Sequence, residues 1–232
     1  MMNKRLELND EKHLKQFIEL YKHCKNASRL SKVNNEEQRI FSLKETGLPI
    51  RFGCTEKLLD YIPEREGLYN FWQENDYFWI IPMEVKENRV YGFTIRGYEK
   101  NYNVFRLTSN LPVIFGLYDF EDFNFNKKKP IILTEGIKDA LMLKTIYPYT
   151  LSLNTAGLTQ NALNFVTALT DRFILIYDND KPGRDATERD KAALREKECR
   201  VFDFTPTFKD CGKYIDHPKQ FEILNLSIQQ YL

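Results

Sequence analysis

Apolar and polar positions change rhythm at Pro130. Upstream, Leu14, Phe17, Ile18, Tyr21 and Cys24 recur at three- and four-residue spacing, which predicts an amphipathic helix over Asn9 to Cys24 with Asn9 or Asp10 as its cap. A polar stretch from Lys25 to Arg39 follows, then Leu48-Pro49-Ile50 and a short helical pattern from Thr55 to Ile62, stopped by Pro63. From Tyr77 the alternation becomes that of strands. Tyr77 to Val85, a polar turn at Lys86 to Arg89, Val90 to Tyr98 and Val104 to Leu107 predict an antiparallel sheet. Residues 121–130 keep no period and end in three lysines and a proline, as a connection between subdomains does.

After Pro130, short apolar runs alternate with helical patterns. Strands are expected at Ile131–Thr134, Thr150–Leu153, Phe173–Tyr177 and Val201–Phe204, with helices at Ile137–Ile146, Gln160–Leu169 and Arg184–Lys197. Such alternation implies a parallel sheet covered by helices, with ligands bound beyond the carboxyl ends of its strands. The predicted fold class is α/β: a parallel sheet flanked by helices, preceded by a mixed α+β subdomain with an antiparallel sheet. The boundary is expected to separate residues 1–126 from 127–232.

Composition narrows the function classes. The chain has 232 residues, 42% hydrophobic and 29% charged, as expected of a folded chain rather than a disordered or fibrous one. Apolar runs such as Phe78 to Met83 are too short to cross a bilayer, and no secretory signal follows Met1, so no membrane partner and a cytoplasmic location are expected. The four cysteines, Cys24, Cys54, Cys199 and Cys211, form no C-x-x-C pair, which argues against a zinc ribbon. Net charge is only +1, so nucleic-acid binding would have to come from a local groove.

Two acidic groups fall where the parallel half places an active site. Glu135-Gly136 follows its first strand, and Asp178-Asn179-Asp180 follows the strand from Phe173. If those strands are neighbours, three carboxylates converge and repel, and a divalent cation is their natural partner. Phosphoryl transfer gains from such ions. Gly136 and Gly183 are expected to let the chain turn sharply from strand into helix, leaving two helix N-termini for phosphate. A single Asp at a strand end is most often a cap or turn residue. The paired pattern Glu-Gly-x-x-Asp and Asp-x-Asp-x-x-Gly, each after an apolar strand, is far more specific.

That pattern resembles the TOPRIM domain of primases, topoisomerases and some nucleases. The resemblance runs from Ile131 to about Ile215 and is carried by Thr134-Glu135-Gly136-Ile137-Lys138-Asp139 and Tyr177-Asp178-Asn179-Asp180-Lys181-Pro182-Gly183-Arg184. Ser152 to Thr159 and Lys209-Asp210 are similar to segments of DnaG-type primases. Ile81-Pro82-Met83, Gly92 to Gly97 and Phe115 to Tyr118 are similar to the basic subdomain that precedes the TOPRIM domain in the catalytic core of those primases.

The resemblance implies metal-dependent synthesis of short RNA primers on single-stranded DNA. It makes Glu135, Asp178 and Asp180 catalytic, and Glu135, Asp139, Asp178, Asp180 and Asp210 ligands of Mg2+ or Mn2+. Arg96, Arg106, Lys181 and Arg184 would contact nucleic acid or nucleotide, with Tyr98, Tyr102 and Phe105 as stacking candidates. Implied partners are single-stranded DNA template and ribonucleoside triphosphates, with a replicative helicase or a separate zinc-binding template-selection subunit, as in phage or plasmid replication. One departure is Gly212, where those primases have a second aspartate. A TOPRIM nuclease and a catalytically weak replication accessory protein are the alternative readings.

Overall fold

The computed structural model describes residues 5–8, 11–26, 39–40, 50–62, 69–86, 89–97, 101–106, 114–117 and 128–232. The expected cap at Asn9 or Asp10, the stop at Pro63, Tyr98, and residues 121–127 of the connection lie outside them. The chain divides into two compact units, Met1–Ser31 with Gly47–Asn110, and Lys32–Thr46 with Leu111–Leu232.

The first unit is a six-stranded sheet on which a helix packs. Its strands are β1 (Arg5–Leu8), β2 (Lys25–Asn26), β3 (Arg51–Cys54), β4 (Tyr77–Lys86), β5 (Arg89–Arg96) and β6 (Asn101–Arg106), in the spatial order β1-β6-β5-β4-β3-β2. The predicted hairpin of β4 and β5 and its extension by β6 are present and antiparallel. Three further strands were not predicted: β1, which joins β6 in parallel, and the short β2 and β3. The helix α1 (Glu11–His23) buries Phe17 and Leu20 against Phe71, Phe78, Ile80, Phe93 and Ile95. Phe71 belongs to a second helix, α2 (Tyr69–Glu74), too short to show a period. The helical pattern predicted over Thr55–Ile62 is present as a 3-10 helix, Glu56–Tyr61. Two tight turns suffice to pack Leu58 and Ile62 on this core.

The second unit has the predicted alternation. Its strands β7 (Ile131–Thr134), β8 (Thr150–Ser152), β9 (Arg172–Leu175) and β10 (Arg200–Asp203) form an all-parallel sheet in the order β10-β9-β7-β8. Successive side chains of a strand point to opposite faces, and both faces here are covered. Ile131, Leu133, Phe173 and Leu175 pack with residues of α4 (Gln160–Leu169) and α5 (Lys181–Glu196), among them Leu163, Val166, Ala186 and Leu194. Ile132 and Ile174 pack on the other side with Leu143 of α3 (Ile137–Lys144), Tyr214 of a 3-10 helix (Cys211–Asp216), and Leu224 and Ile228 of α6 (Pro218–Gln229). Burial on both faces explains why β7 and β9 read as unbroken apolar runs.

An upstream segment also belongs to this unit. Phe115 exchanges backbone hydrogen bonds with Ser152, at 2.9 and 3.0 Å. The buried Lys144 ammonium donates to the carbonyls of Pro148 at 2.8 Å and Gly116 at 3.3 Å. Among the described residues no helix is long and apolar enough to cross a membrane.

Candidate active site

Strands β7 and β9 are hydrogen-bonded neighbours, with Ile131, Ile132 and Leu133 opposite Phe173, Ile174 and Leu175. Their carboxyl ends therefore emerge side by side, and the residues that follow meet. The Asp178 amide donates to Glu135 Oε1 at 3.3 Å. The turn that carries Glu135 is pinned from beside: Ser152 Oγ donates to the Glu135 carbonyl at 3.0 Å and Thr134 Oγ1 to the Gly136 carbonyl at 3.1 Å.

Asp180 sits at the N-cap of α5, where its Oδ1 accepts from the Gly183 amide at 3.0 Å. Between the two aspartates, Asn179 stitches the turn to a later segment. Its amide donates to the Lys209 carbonyl at 2.6 Å, its Nδ2 to the Pro206 carbonyl at 3.0 Å, and its Oδ1 accepts from Arg184 at 3.0 Å. The same connection brings Lys209 Nζ to 3.6 Å from Asp180 Oδ2. Asp210 caps the following 3-10 helix by accepting from the Lys213 amide at 3.3 Å. Asp139, buried in the first turn of α3, accepts from the Gly212 amide at 3.1 Å. Where a second aspartate was expected, the chain thus offers a backbone N–H to another carboxylate.

The cluster holds more negative charge than the nearby lysines offset. Burial, and then repulsion from Asp178, pushes the Glu135 carboxyl up to about 7. Burial, then Asp178 and Asp210, does the same to Asp139, also to about 7. Asp178 is raised by burial and by Asp210 and Asp180, while Lys209 and Lys138 act in the opposite direction. These are the conditions under which a cation would be welcome. Among the described residues no three His, Cys, Asp or Glu side chains already enclose an ion position. The donor set, all carboxylate oxygens at the rim of a sheet, fits a hard ion held through one or two carboxylates with waters and substrate phosphates, as magnesium is. It does not fit a closed structural site.

Both glycines of the motifs are needed for space rather than for conformation. Gly136 has ordinary extended angles, φ −101° and ψ 151°, and neither it nor Gly183 has a positive φ. A Cβ on Gly183 would strike the Asp178 carbonyl oxygen and come to 2.9 Å from Glu135 Oε1, and one on Gly136 would lie 2.6 Å from Asp139 Oδ2. The expectation that they permit sharp turns is corrected accordingly: what they permit is close approach.

Of the other predicted contacts, Lys181 is exposed in the first turn of α5, and Arg184 is engaged by Asn179. Arg96 is half-buried at the end of β5, and Arg106 ends β6. The side chains of Tyr102, Phe105 and Arg106 lie outside the described residues.

One buried carboxylate was missed. Asp190, on α5, accepts from the Leu158 amide at 2.7 Å, the Tyr177 hydroxyl at 2.9 Å and Arg189 Nε at 3.0 Å, and Arg189 also donates to the Ala156 carbonyl at 3.0 Å. This network ties the turn after β8 to the strand end that carries Asp178. A signal was present, since Asp190 falls on the buried stripe Gly183, Ala186, Leu194 of α5.

Comparison with known proteins agrees with this architecture. Residues 132–215 match the Toprim-like family model. No curated protein sequence matches the chain. Among solved structures, the RNA polymerase domain of Mycobacterium tuberculosis primase DnaG is 14% identical with a TM-score of 0.66, the match covering 94% of this chain and 84% of that one. A DnaG primase catalytic domain bound to single-stranded DNA is 17% identical with a TM-score of 0.60, covering 94% and 80%. The zinc-binding and RNA polymerase domains of Aquifex aeolicus primase are 20% identical with a TM-score of 0.61, covering 94% of this chain and 61% of that one. Residues 132–215 thus match the Toprim-like family model, within a chain that has the fold of DnaG-type primase catalytic cores.

Proposed function

We propose that this chain is a primase-type nucleotidyltransferase core that joins ribonucleotides into short RNA primers on single-stranded DNA. The observation that carries the reading is the pairing of β7 with β9, which joins Glu135 to the Asp178-Asn179-Asp180 turn at one sheet edge. The likeness in fold to DnaG catalytic cores supports it.

In this reading Glu135, Asp178 and Asp180 hold Mg2+ or Mn2+, with Asp139 and Asp210 completing the negative wall. Bound there, the cation would stabilise charge on the attacking and leaving oxygens of phosphoryl transfer. The residues themselves align the reactants. The primer 3′-hydroxyl forms a bond to the α-phosphorus of the incoming nucleoside triphosphate, the bond to pyrophosphate breaks, and Glu135 takes or organises the hydroxyl proton. Lys181 and Arg184, in the first turn of α5, are proposed to reach nucleotide phosphates. Arg96 and Arg106, on the sheet of the first unit, are proposed to contact the template. A helicase or a zinc-binding subunit would be a partner.

The test supplies purified protein with single-stranded DNA, labelled ribonucleoside triphosphates and Mg2+ or Mn2+. Short RNA products that vanish in an Asp178→Ala/Asp180→Ala variant support the proposal. Shortened DNA without added nucleotides would replace it with a nuclease. Binding without either product would make the chain an accessory.

A further inference from the structure

Lys209 meets the Asp178-Asn179-Asp180 turn twice, and the two contacts differ in kind. Its carbonyl accepts from the Asn179 amide at 2.6 Å, a short bond that fixes where the side chain begins. Its ammonium lies 3.6 Å from Asp180 Oδ2, beyond good hydrogen-bond distance, and the side chain is 68% exposed. The root is held; the tip is free to leave. The ammonium occupies a carboxylate that the proposed function assigns to a divalent cation. Two positive charges cannot both sit on Asp180 without repulsion, so arrival of the ion at that oxygen would release the lysine. Tethered at its backbone, the released tip stays beside the site where a triphosphate would bring negative charge. A primary ammonium on a flexible stem suits that task, because it can follow a phosphate as a point charge.

We propose that Lys209 is an exchangeable counter-ion: it rests on Asp180 while the site lacks a divalent cation, and it binds the phosphates of the incoming nucleotide once the cation has displaced it. The proposal deepens the primase reading by naming a phosphate-binding residue, and it rests on the nucleotide and metal assignments made there.

The experiment compares the full chain with its Lys209→Met and Lys209→Arg variants. The side chain is solvent-facing and the backbone bond to Asn179 is untouched, so all three should melt alike. Mn2+ binding, read by electron paramagnetic resonance of the free ion without nucleotide, should be about two- to fivefold tighter for Lys209→Met, since an exposed competing ion pair has been removed. Binding of labelled ATP at saturating Mn2+, read by equilibrium dialysis, should be about tenfold weaker for Lys209→Met and largely restored in Lys209→Arg. Unchanged or weaker Mn2+ binding by Lys209→Met would overturn the exchange, as would a wild-type chain that binds no Mn2+. Unchanged ATP binding would overturn the phosphate role. Neither readout uses RNA synthesis, so a chain that passes both but makes no primers loses the primase reading and keeps this one.

Discussion

The amide of Asp178 donates to a carboxylate oxygen of Glu135, 43 residues earlier, joining the ends of two parallel strands. An amide oxygen still accepts that bond, though less strongly than an ionised carboxylate. Glu135→Gln should therefore leave the fold intact, with stability within about 1 kcal/mol of wild type near pH 5, where the wild-type carboxyl is itself neutral. Primer synthesis should fall by about 100-fold or more. Melting curves and product yield measured on the same preparation check this, and retained synthesis would place the chemistry elsewhere.

Asp190 is almost wholly buried and satisfies three donors at once. Asp190→Ala leaves the Tyr177 hydroxyl and the Leu158 amide without their acceptor, at a cost of about 2–4 kcal/mol. For a chain of this size that corresponds to a fall in Tm of roughly 4–16 °C. Asp190→Asn keeps an acceptor and should lose less. Urea unfolding of both variants decides it; equal, negligible losses would mean the network carries no stability.

Gly183 has no room for a methyl group, because a Cβ meets the Asp178 carbonyl. Gly183→Ala must push α5 away from the turn, costing about 1–3 kcal/mol. Gly136→Ala meets only the end of the Asp139 side chain and should cost less. The order of the two in chemical denaturation is the test.

Stability should depend on pH with a definite sign. Glu135 and Asp139 rise from 4.5 and 3.8 to about 7 in the folded chain. Between those limits the folded state binds more protons than the unfolded one. Stability is therefore highest near the acid end of the window, falls as pH rises toward 7 and levels off above it. Because cations bind the deprotonated carboxylates, Mg2+ should flatten the fall relative to EDTA. Melting scans from pH 5 to 8 with and without Mg2+ measure both effects; a rise in metal-free stability across the window would contradict the charge arrangement described above.

Periodicity disclosed the second unit because both faces of β7 and β9 are covered, so nothing polar interrupts them. Glu135 could be placed because it directly follows β7, and Asp178 and Asp180 because they lie in the short turn between β9 and α5. What stayed hidden depends on contacts distant in sequence. The side chain of Asn179 gave no sign that it would fasten one turn to another, and β1 could not be foreseen because its partner, β6, comes so much later. Glycine roles were misjudged for a related reason: a turn can be read locally, whereas a collision between Gly183 and the Asp178 carbonyl exists only after the chain has folded back on itself. The helix at Glu56–Tyr61 was legible as helical, but its 3-10 geometry was not, because so short a segment shows the same spacing in either form.

The bond from the Asn179 side chain to the Pro206 carbonyl spans 27 residues and encloses all of α5 and β10. The aspartates on either side of Asn179 thus acquire their final shape only when the excursion through helix and edge strand has closed. A deletion or insertion within it, remote from every acidic group, would loosen the loop that presents them, and a nascent chain would have no finished cradle for charge until Pro206 and Lys209 had left the ribosome.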